Sequence, residues 1–147
     1  MTPVLVLHGP NLDLLGQREP EVYGHQTLAE LEIRLRNWGL DLDLEVTSRQ
    51  SNHEGQLIDW LHAARAEGYA GIVINPGGLA HTSWALRDAI AGIALPTVEV
   101  HLSNVHAREP GRQVLLTASA CRGVISGLGF ASYRLGLEAL AGILPQA

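Results

Sequence analysis

Short apolar runs alternate with amphipathic segments along this chain. The run PVLVLHG, residues 3–9, is rich in aliphatic side chains and lacks polar alternation, which is typical of a parallel strand covered on both faces. The segment at residues 27–39 places leucines at helical spacing behind a capping box formed by Thr27 and Glu30. It predicts a helix that Gly39 can end.

The alternation of strand and helix continues along the rest of the chain. The pattern predicts further strands at residues 42–48, 71–76, 97–102 and 123–126, and helices at about 54–67, 82–91 and 128–141, with Gly68 closing the first of these helices. Five strands alternating with helices predict a single α/β domain over residues 1–147, with a flavodoxin-like, doubly wound parallel sheet. Such sheets bind ligands at the carboxyl ends of their strands, where the strand order reverses between strands 1 and 3.

The composition fits a globular domain and excludes several classes of function. With 46% hydrophobic and 17% charged residues, the chain has neither a disordered nor a fibrous character. No apolar run approaches the roughly 20 residues of a membrane-spanning helix, and the first residues lack the features of a signal peptide, so we expect a soluble, cytoplasmic protein. The net charge of -5, without a basic run, argues against nucleic-acid binding.

Motifs for bound metals and nucleotides are missing from the sequence. The histidines lack ligand spacing such as HExxH, and Cys121 is the single cysteine, so we expect neither a metal nor an internal disulfide. There is no P-loop, and GLGFAS at residues 127–132 follows the last strand, too late for a dinucleotide-binding unit. All 10 basic residues are arginines, which excludes a Schiff base on a lysine. We expect no cofactor.

Polar residues gather behind strand 1 in a long loop. The loop spans about 16 positions, residues 9–24, where loops in α/β units usually have two to six. Gly16 and Gly24 could act as hinges around a segment that carries Arg18 and Tyr23, which predicts a lid. A merely long surface loop is the alternative.

Further polar residues follow strand 3. Asn75 ends this strand and His81 precedes the next helix, although a turn residue and a helix-terminal polar residue are the plain alternatives. Asp88 follows His81 at a distance that corresponds to about 10 Å along a helix axis. One small ligand could hardly touch both from one chain. Asp88 therefore serves a neighbouring subunit or is a solvated carboxylate.

The segment behind strand 4, VEVHLSNVHAREPGR, is the richest in candidate chemistry. Glu99 and His101 share one face of the strand, so the carboxylate could orient and charge the imidazole and make it a general acid. A hydrogen-bonded structural histidine is the alternative. Arg108 and Arg112 are either cations of a site or ordinary surface arginines. Because all these residues fall at the same mouth of the sheet, a shared site is favoured.

Together these segments resemble the type II 3-dehydroquinate dehydratases over nearly the whole chain. The resemblance lies in GPNLDLLGQREPEVYG, RQSNHEGQLIDWLH, INPGGLAHTSWALRDA, the segment behind strand 4, and GVISGLGFASYRLGLEAL. It implies a lyase without a cofactor that dehydrates 3-dehydroquinate to 3-dehydroshikimate through an enolate, in the shikimate pathway or in quinate breakdown. It also implies a homododecamer made from trimers.

The resemblance implies a role for each matching residue. Tyr23 would remove the C2 proton, His101 would protonate the departing C1 hydroxyl, and Arg18 would stabilise the enolate. A tyrosine base also needs a nearby cation, for which Arg18 and Arg108 are the candidates. The remaining groups would bind the substrate or its intermediate: Asn11, Asn75, the ring-hydroxyl contacts His81 and Arg112, the backbone amides of Leu102 and Ser103 for the carboxylate, and Asp88 from an adjacent subunit.

Some positions depart from the family pattern. Asp13 stands where an Asn is common, Gly78 and Leu79 replace an Ala and an aromatic residue, and Gly111 replaces a bulkier residue. These changes touch pocket walls and leave affinity and turnover open. The segment at residues 113–122 matches poorly and is assigned no role. A flavodoxin-like phosphate- or nucleotide-binding module is the alternative function.

Overall fold

The structure is a computed structural model that describes residues 1–17, 19–23 and 25–145, and the side chains of residues 22 and 23 lie outside the description. Its strands are β1 (Thr2–His8), β2 (Leu44–Gln50), β3 (Gly71–Asn75), β4 (Thr97–His101) and β5 (Gly123–Ser126). Its α-helices are α1 (Pro20–Tyr23), α2 (Leu28–Asp41), α3 (Glu54–Ala64), α4 (Trp84–Ile93) and α5 (Phe130–Ile143). Short 3₁₀ segments at Leu12–Leu14, Gly77–His81, Val105–Ala107, Pro110–Arg112 and Thr117–Ala120 lie between them.

The strands form one parallel sheet in the order β2-β1-β3-β4-β5. This confirms the predicted flavodoxin-like, doubly wound architecture. The register places His8, the last residue of β1, beside Asn75, the last residue of β3. From these two strands the chain leaves toward opposite faces of the sheet, which opens a crevice at their carboxyl ends.

Helices cover the sheet on both faces, as the uninterrupted apolar strands predict. On one face, α2 and α5 pack against Val4 and Val6 of β1. On the other face, α3 and α4 pack against Leu5 and Leu7. The central residues of β1 and β3 are 0% exposed, so these two strands form a firm base for the loops behind them. Among the described helices, none is long and apolar enough to cross a membrane.

Helix α2 ends later than the sequence pattern predicts. Its cap is in place, because Thr27 Oγ1 accepts a hydrogen bond from the Glu30 amide at 3.2 Å. Gly39, however, lies inside the helix, and the chain turns at Asp43, which has φ 58. A Cβ on Gly39 would come within 2.6 Å of Val46 Cγ2. Gly39 is therefore required by the close approach of α2 to β2, and the prediction that it ends the helix is wrong.

The other helix boundaries differ from the predictions by a few residues. Helix α3 ends at Ala64, and the chain then turns through Gly68 at φ 92. Helix α4 begins at Trp84 because Ser83 caps it, with Ser83 Oγ accepting from the Leu86 amide at 2.9 Å. Such shifts are expected where a side-chain cap and not the apolar pattern sets the first turn.

Gly136 lets helix α5 lie directly on the sheet. A Cβ at this position would come within 2.8 Å of Val100 Cγ1 and 3.4 Å of Val73 Cγ1. Gly142, on the same helix, has open space where its Cβ would be. Substituting each glycine by alanine therefore distinguishes two effects: at Gly136 the added methyl group contacts the sheet, and at Gly142 it changes only the helix propensity.

Gly136→Ala should lower the free energy of unfolding by about 1–3 kcal/mol, because the added methyl group overpacks the contact between α5 and the sheet. Gly142→Ala should raise the free energy of unfolding by up to about 1 kcal/mol, because alanine favours the helix more than glycine does. Urea unfolding followed by circular dichroism measures both values. Equal shifts in the two variants would contradict the close packing at Gly136.

Candidate active site

A pocket lies at the carboxyl ends of β1, β3 and β4, in the crevice that the strand order creates. It encloses about 700 Å³ including its open mouth. Three segments line it: the loop behind β1, the 3₁₀ segment behind β3 and the residues behind β4. The predicted site residues that line this pocket are Asn11, Asn75, His81, His101, Leu102, Ser103, Arg108 and Arg112. The fold therefore brings together side chains that are distant in the sequence.

A buried carboxylate holds one of the pocket histidines. His101 Nε2 lies 2.7 Å from Glu99 Oε2, and the two residues are 6% and 0% exposed. The second carboxylate oxygen, Glu99 Oε1, accepts a hydrogen bond of 2.5 Å from the Thr117 hydroxyl. Glu99 and His101 are alternate residues of β4, so the strand geometry places both side chains on one face.

These contacts fix which nitrogen of His101 is available to a ligand. A carboxylate only accepts hydrogen bonds, so Nε2, the ring nitrogen that faces Glu99, carries a proton. Within the described part of the chain, Nδ1 has no hydrogen-bond partner. The ring can therefore hold or release a proton at Nδ1 while Glu99 keeps its orientation constant.

The imidazole of His81 lies near that of His101. The ring centroids are 6.4 Å apart and the ring planes are inclined by 25°. His81 Nδ1 lies 2.9 Å from the carbonyl oxygen of Val114, so Nδ1 donates this hydrogen bond. In the neutral ring Nε2 is then an acceptor, which suits the hydroxyl group of a ligand.

Two arginines bring positive charge to the pocket wall. The Arg112 side chain donates a hydrogen bond to Glu109, and this contact holds the pKa of the Glu109 carboxyl below its usual range. Arg108 Nη2 lies 3.6 Å from Glu19 Oε2 and so connects the wall behind β4 to the loop behind β1. Both guanidinium groups line the pocket, which therefore suits an anionic ligand.

Two asparagines line the pocket beside the point where the strand order reverses. Asn11 has a left-handed backbone with φ 70, and its amide donates to Asn52 Oδ1 at 2.9 Å. Asn75 is 3% exposed, and its Oδ1 accepts from the Gly77 amide at 3.1 Å. Neighbouring polar groups thus fix the backbone of Asn11 and the side chain of Asn75.

The loop behind β1, predicted as a lid, is anchored to the core in its first half. Leu12 and Leu15 are 7% and 4% exposed. Gly16 has φ 88, and a Cβ on it would lie 2.7 Å from the His25 carbonyl oxygen, so a glycine is required here. Gly24, the second predicted hinge, lies outside the described residues. Closure of this loop stays a prediction.

Some predicted site residues are not brought into the pocket by the described structure. Arg18 lies outside the described residues, and so does the side chain of Tyr23, whose backbone ends α1. Asp88 has a side chain that is 67% exposed and pairs with Arg87 at 3.1 Å. It lines a separate surface depression beside His62. One chain therefore does not supply Asp88 to its own pocket, in agreement with the helix-length argument.

The lone cysteine is not a nucleophile. Burial, together with the charge of Glu99, raises the pKa of the Cys121 thiol to about 12. The thiol is therefore protonated at neutral pH, and only the thiolate is a good nucleophile. Across the described residues, no group of three or more His, Cys, Asp and Glu side chains is arranged to hold a metal ion.

Sequence reasoning missed the groups that support the site from the segment at residues 113–122. Thr117 bonds to Glu99, and the Val114 carbonyl holds His81. The Leu116 amide also donates to the Ala80 carbonyl at 2.7 Å. No periodicity marks this irregular segment, so only its position between strands 4 and 5 could have indicated a role near the pocket.

The fold and the pocket define a flavodoxin-like α/β protein with a ligand site at its switch point. Residues 2–141 match the family model described as dehydroquinase class II. The chain is 59% identical over 141 residues to the 3-dehydroquinate dehydratase of Deinococcus radiodurans. This aligned region covers 96% of this chain and 99% of that protein. It is 58% identical to a 3-dehydroquinate dehydratase of Thermus thermophilus, over 94% of this chain and 93% of that protein. The chain therefore belongs to the class II dehydroquinase family.

Solved structures agree with this assignment. The type II dehydroquinase from Butyrivibrio crossotus superposes with a TM-score of 0.93 at 40% identity, over 95% of this chain and 97% of that chain. The type II dehydroquinase from Propionibacterium acnes gives a TM-score of 0.92 at 39% identity, over 97% of both chains. The family resemblance seen in the sequence is thus confirmed.

Thr117→Val should lower the free energy of unfolding by about 1–3 kcal/mol, because a buried oxygen of Glu99 loses its hydrogen-bond donor. Thr117→Ser keeps the hydroxyl and should retain most of the stability. Urea unfolding of both variants measures the difference. A Thr117→Val variant with wild-type stability would show that the hydrogen bond to Glu99 does not stabilise the fold.

Proposed function

We propose that this protein is a type II 3-dehydroquinate dehydratase that converts 3-dehydroquinate to 3-dehydroshikimate. The observation that carries the proposal is the Glu99–His101 pair, whose side chains lie 2.7 Å apart. His101 lines a pocket that also contains two arginines. The relatives of this chain carry the activity in their names. A buried carboxylate that orients an imidazole is suited to general acid catalysis.

The chemistry of the pocket matches the chemical groups of the substrate. 3-Dehydroquinate carries a carboxylate, ring hydroxyls and a ketone. Leu102 and Ser103 follow β4 in the pocket wall, and their backbone amides bind the carboxylate, with the arginines nearby. His81 and Arg112 contact ring hydroxyls, and Asn75 holds the ring. Because His81 Nδ1 donates to the Val114 carbonyl, Nε2 is the ring nitrogen left to contact a hydroxyl group.

The reaction is an elimination in two proton transfers. Tyr23, as its phenolate, removes the proton from C2, and the electron pair moves onto the ketone oxygen to form an enolate. Arg18 and Asn11 stabilise this oxyanion. The enolate then collapses, the C1–O bond breaks, and His101 gives a proton to the departing hydroxyl so that water leaves. The proton gained by Tyr23 and the proton lost by His101 balance over the cycle.

A tyrosine acts as a base at neutral pH when a nearby cation stabilises its phenolate. The phenol of a free tyrosine has a pKa near 10, so ionising it at pH 7 costs about 4 kcal/mol. One guanidinium at 4 Å and an effective dielectric constant near 20 supplies about 4 kcal/mol before desolvation is counted. Arg18 and Arg108 are the candidates. Arg108 also pairs with Glu19 at 3.6 Å, which ties it to the loop that carries Tyr23.

The protein needs no covalent link to its substrate. The chain contains no lysine, so no imine forms on a lysine amine, and the enolate is stabilised by hydrogen bonds and charge alone. We also propose that the protein assembles as a homododecamer of trimers, in which Asp88 reaches the pocket of an adjacent subunit. The exposed position of Asp88, away from its own pocket, supports this arrangement.

Mixing the protein with 3-dehydroquinate should produce the ultraviolet absorbance of a conjugated enone. Tyr23→Phe and His101→Ala should each lower kcat by about 10²–10⁴-fold, because each removes one proton-transfer group. Tyr69→Phe and His53→Ala change the same residue types outside the pocket and should keep near-normal kcat. Initial rates over a range of substrate concentrations measure these effects. Near-normal turnover in Tyr23→Phe or His101→Ala would remove that residue from its role.

The same assay separates this mechanism from the alternatives. Borohydride added during turnover should leave no reduced substrate adduct, because the mechanism has no imine. A mass increase that matches a reduced imine on any peptide would overturn the non-covalent mechanism. Folded, assembled protein that gives no enone signal would favour the phosphate- or nucleotide-binding module.

Asp88→Ala and Arg112→Ala chains should each be weakly active alone and regain activity when they are mixed before assembly. The regain is expected because some pockets then combine an intact Arg112 from one chain with an intact Asp88 from another. Unfolding and reassembling the mixture, followed by the enone assay, measures it. If mass spectrometry finds mixed assemblies and the activity does not rise, the site is not shared between subunits.

A further inference from the structure

The side chain of Thr117 joins an irregular segment to the buried carboxylate behind the pocket. Its hydroxyl donates a hydrogen bond of 2.5 Å to Glu99 Oε1, and Glu99 Oε2 lies 2.7 Å from His101 Nε2. Thr117 and Glu99 are both 0% exposed, so bulk water does not compete for these contacts. Thr117 is not among the residues that line the pocket, and no step of the proposed reaction uses it.

Backbone contacts on both sides hold the 3₁₀ segment that begins at Thr117. The Leu116 amide donates to the Ala80 carbonyl at 2.7 Å, which joins the segment to the turn behind β3. The Arg122 amide donates to the Thr97 carbonyl at 2.8 Å, which joins it to the first residue of β4. The fold itself therefore places the Thr117 hydroxyl beside Glu99, without help from a ligand.

The two side-chain contacts of Glu99 favour its ionised form. A carboxylate only accepts hydrogen bonds, and here each of its oxygens has one donor. A buried charge is costly unless it has such partners. Without the Thr117 hydroxyl, Oε1 would lack a donor, and Glu99 would relieve this by rotating or by taking up a proton. A protonated Glu99 could donate to His101 Nε2, and the neutral ring would then carry its own proton on Nδ1.

We propose that Thr117 is a positioning residue for His101, because its hydroxyl keeps Glu99 ionised and directed at His101 Nε2. The ring then keeps one orientation and presents Nδ1 to the pocket, where it gives its proton to the departing hydroxyl. The inference rests on the proposed function, because that function assigns His101 as the acid. It also gives a role in the reaction to the segment at residues 113–122.

The neighbouring thiol is a poor substitute for this donor. Cys121 Sγ donates to the Thr117 backbone carbonyl at 3.4 Å, and a thiol is a weak donor in any case. Burial and the charge of Glu99 raise the pKa of this thiol to about 12, so Cys121 stays neutral at pH 7. Thr117 therefore carries the hydrogen bond to Glu99 Oε1.

The effect of Thr117 should fall on kcat and leave KM unchanged. The groups proposed to bind the substrate are held by other contacts: the Val114 carbonyl holds His81 at 2.9 Å, and the Gly77 amide holds Asn75 at 3.1 Å. A group that acts only while the proton moves lowers kcat and kcat/KM by the same factor. The substrate should therefore bind as tightly without the Thr117 hydroxyl as with it.

Thr117→Val should lower kcat by about tenfold, the effect of one lost hydrogen bond to a charged group, with KM near the wild-type value. Thr117→Ser keeps the hydroxyl and should restore most of kcat. Thr97→Val is the matched control, because it removes another buried hydroxyl, which donates to the Leu95 carbonyl at 3.0 Å. It should keep near-normal kcat. In a Glu99→Gln background, Thr117→Val should lower kcat little further.

Nuclear magnetic resonance tests the same contacts without turnover. At pH 7 the wild-type protein should show the His101 ring proton on Nε2 and a slowly exchanging Thr117 hydroxyl proton, and the Nε2 proton should exchange faster in Thr117→Val than in Thr117→Ser. If the wild-type protein does not dehydrate 3-dehydroquinate, the proposed function fails, and these spectra still decide whether Thr117 positions His101. They also decide it if Thr117→Val does not fold, because the wild-type signals need no variant.

Several results would overturn the role of Thr117. In the kinetics these are a wild-type kcat in Thr117→Val, equal losses of kcat in the valine and serine variants or in Thr117→Val and Thr97→Val, and additive losses with Glu99→Gln. In the spectra they are a neutral wild-type His101 ring with its proton on Nδ1, or a Thr117 hydroxyl proton that exchanges as fast as an exposed one.

Discussion

The reversal of strand order between β1 and β3 is the constraint on which the rest of the structure depends. Two parallel strands that end side by side, at His8 and Asn75, send the chain to opposite faces of the sheet. No helix then covers their carboxyl ends, and the backbone groups and side chains there can serve a ligand. The pocket is thus a consequence of topology, and the loops supply its chemistry.

The site draws its rigidity from both hydrophobic cores. Glu99 and His101 face the layer of α3 and α4, and Thr117 comes from the same side. Asn75 shares the opposite face of the sheet with Val73, which packs in the layer of α2 and α5, and its Oδ1 accepts from the Gly77 amide at 3.1 Å. Buried polar groups are costly when they lack partners, and among the described buried side-chain nitrogen and oxygen atoms none is without one. The pocket side chains are therefore fixed by groups that a ligand does not touch.

How far the sequence predicts the molecule depends on whether the signal is local. Strands covered on both faces have a local signature, so the strand order and the shared face of Glu99 and His101 could be predicted. The support from Thr117 and Val114 could not be, because these residues reach the site from an irregular segment through contacts that are distant in sequence. The prediction for Gly39 was wrong for a different reason. A glycine that is required by close packing on Val46 cannot be distinguished, in the sequence, from a glycine that ends a helix. The catalytic roles of Tyr23 and the other site residues stay predictions.

The protonated thiol of Cys121 makes the natural chain convenient for spectroscopy. A thiol whose pKa is raised to about 12 reacts slowly with maleimides and iodoacetamides at neutral pH. A cysteine introduced at an exposed position, such as one in the loop behind β1, would therefore take up a fluorophore in preference to the natural residue. Distance changes in that loop can thus be followed in a background that needs no prior cysteine removal.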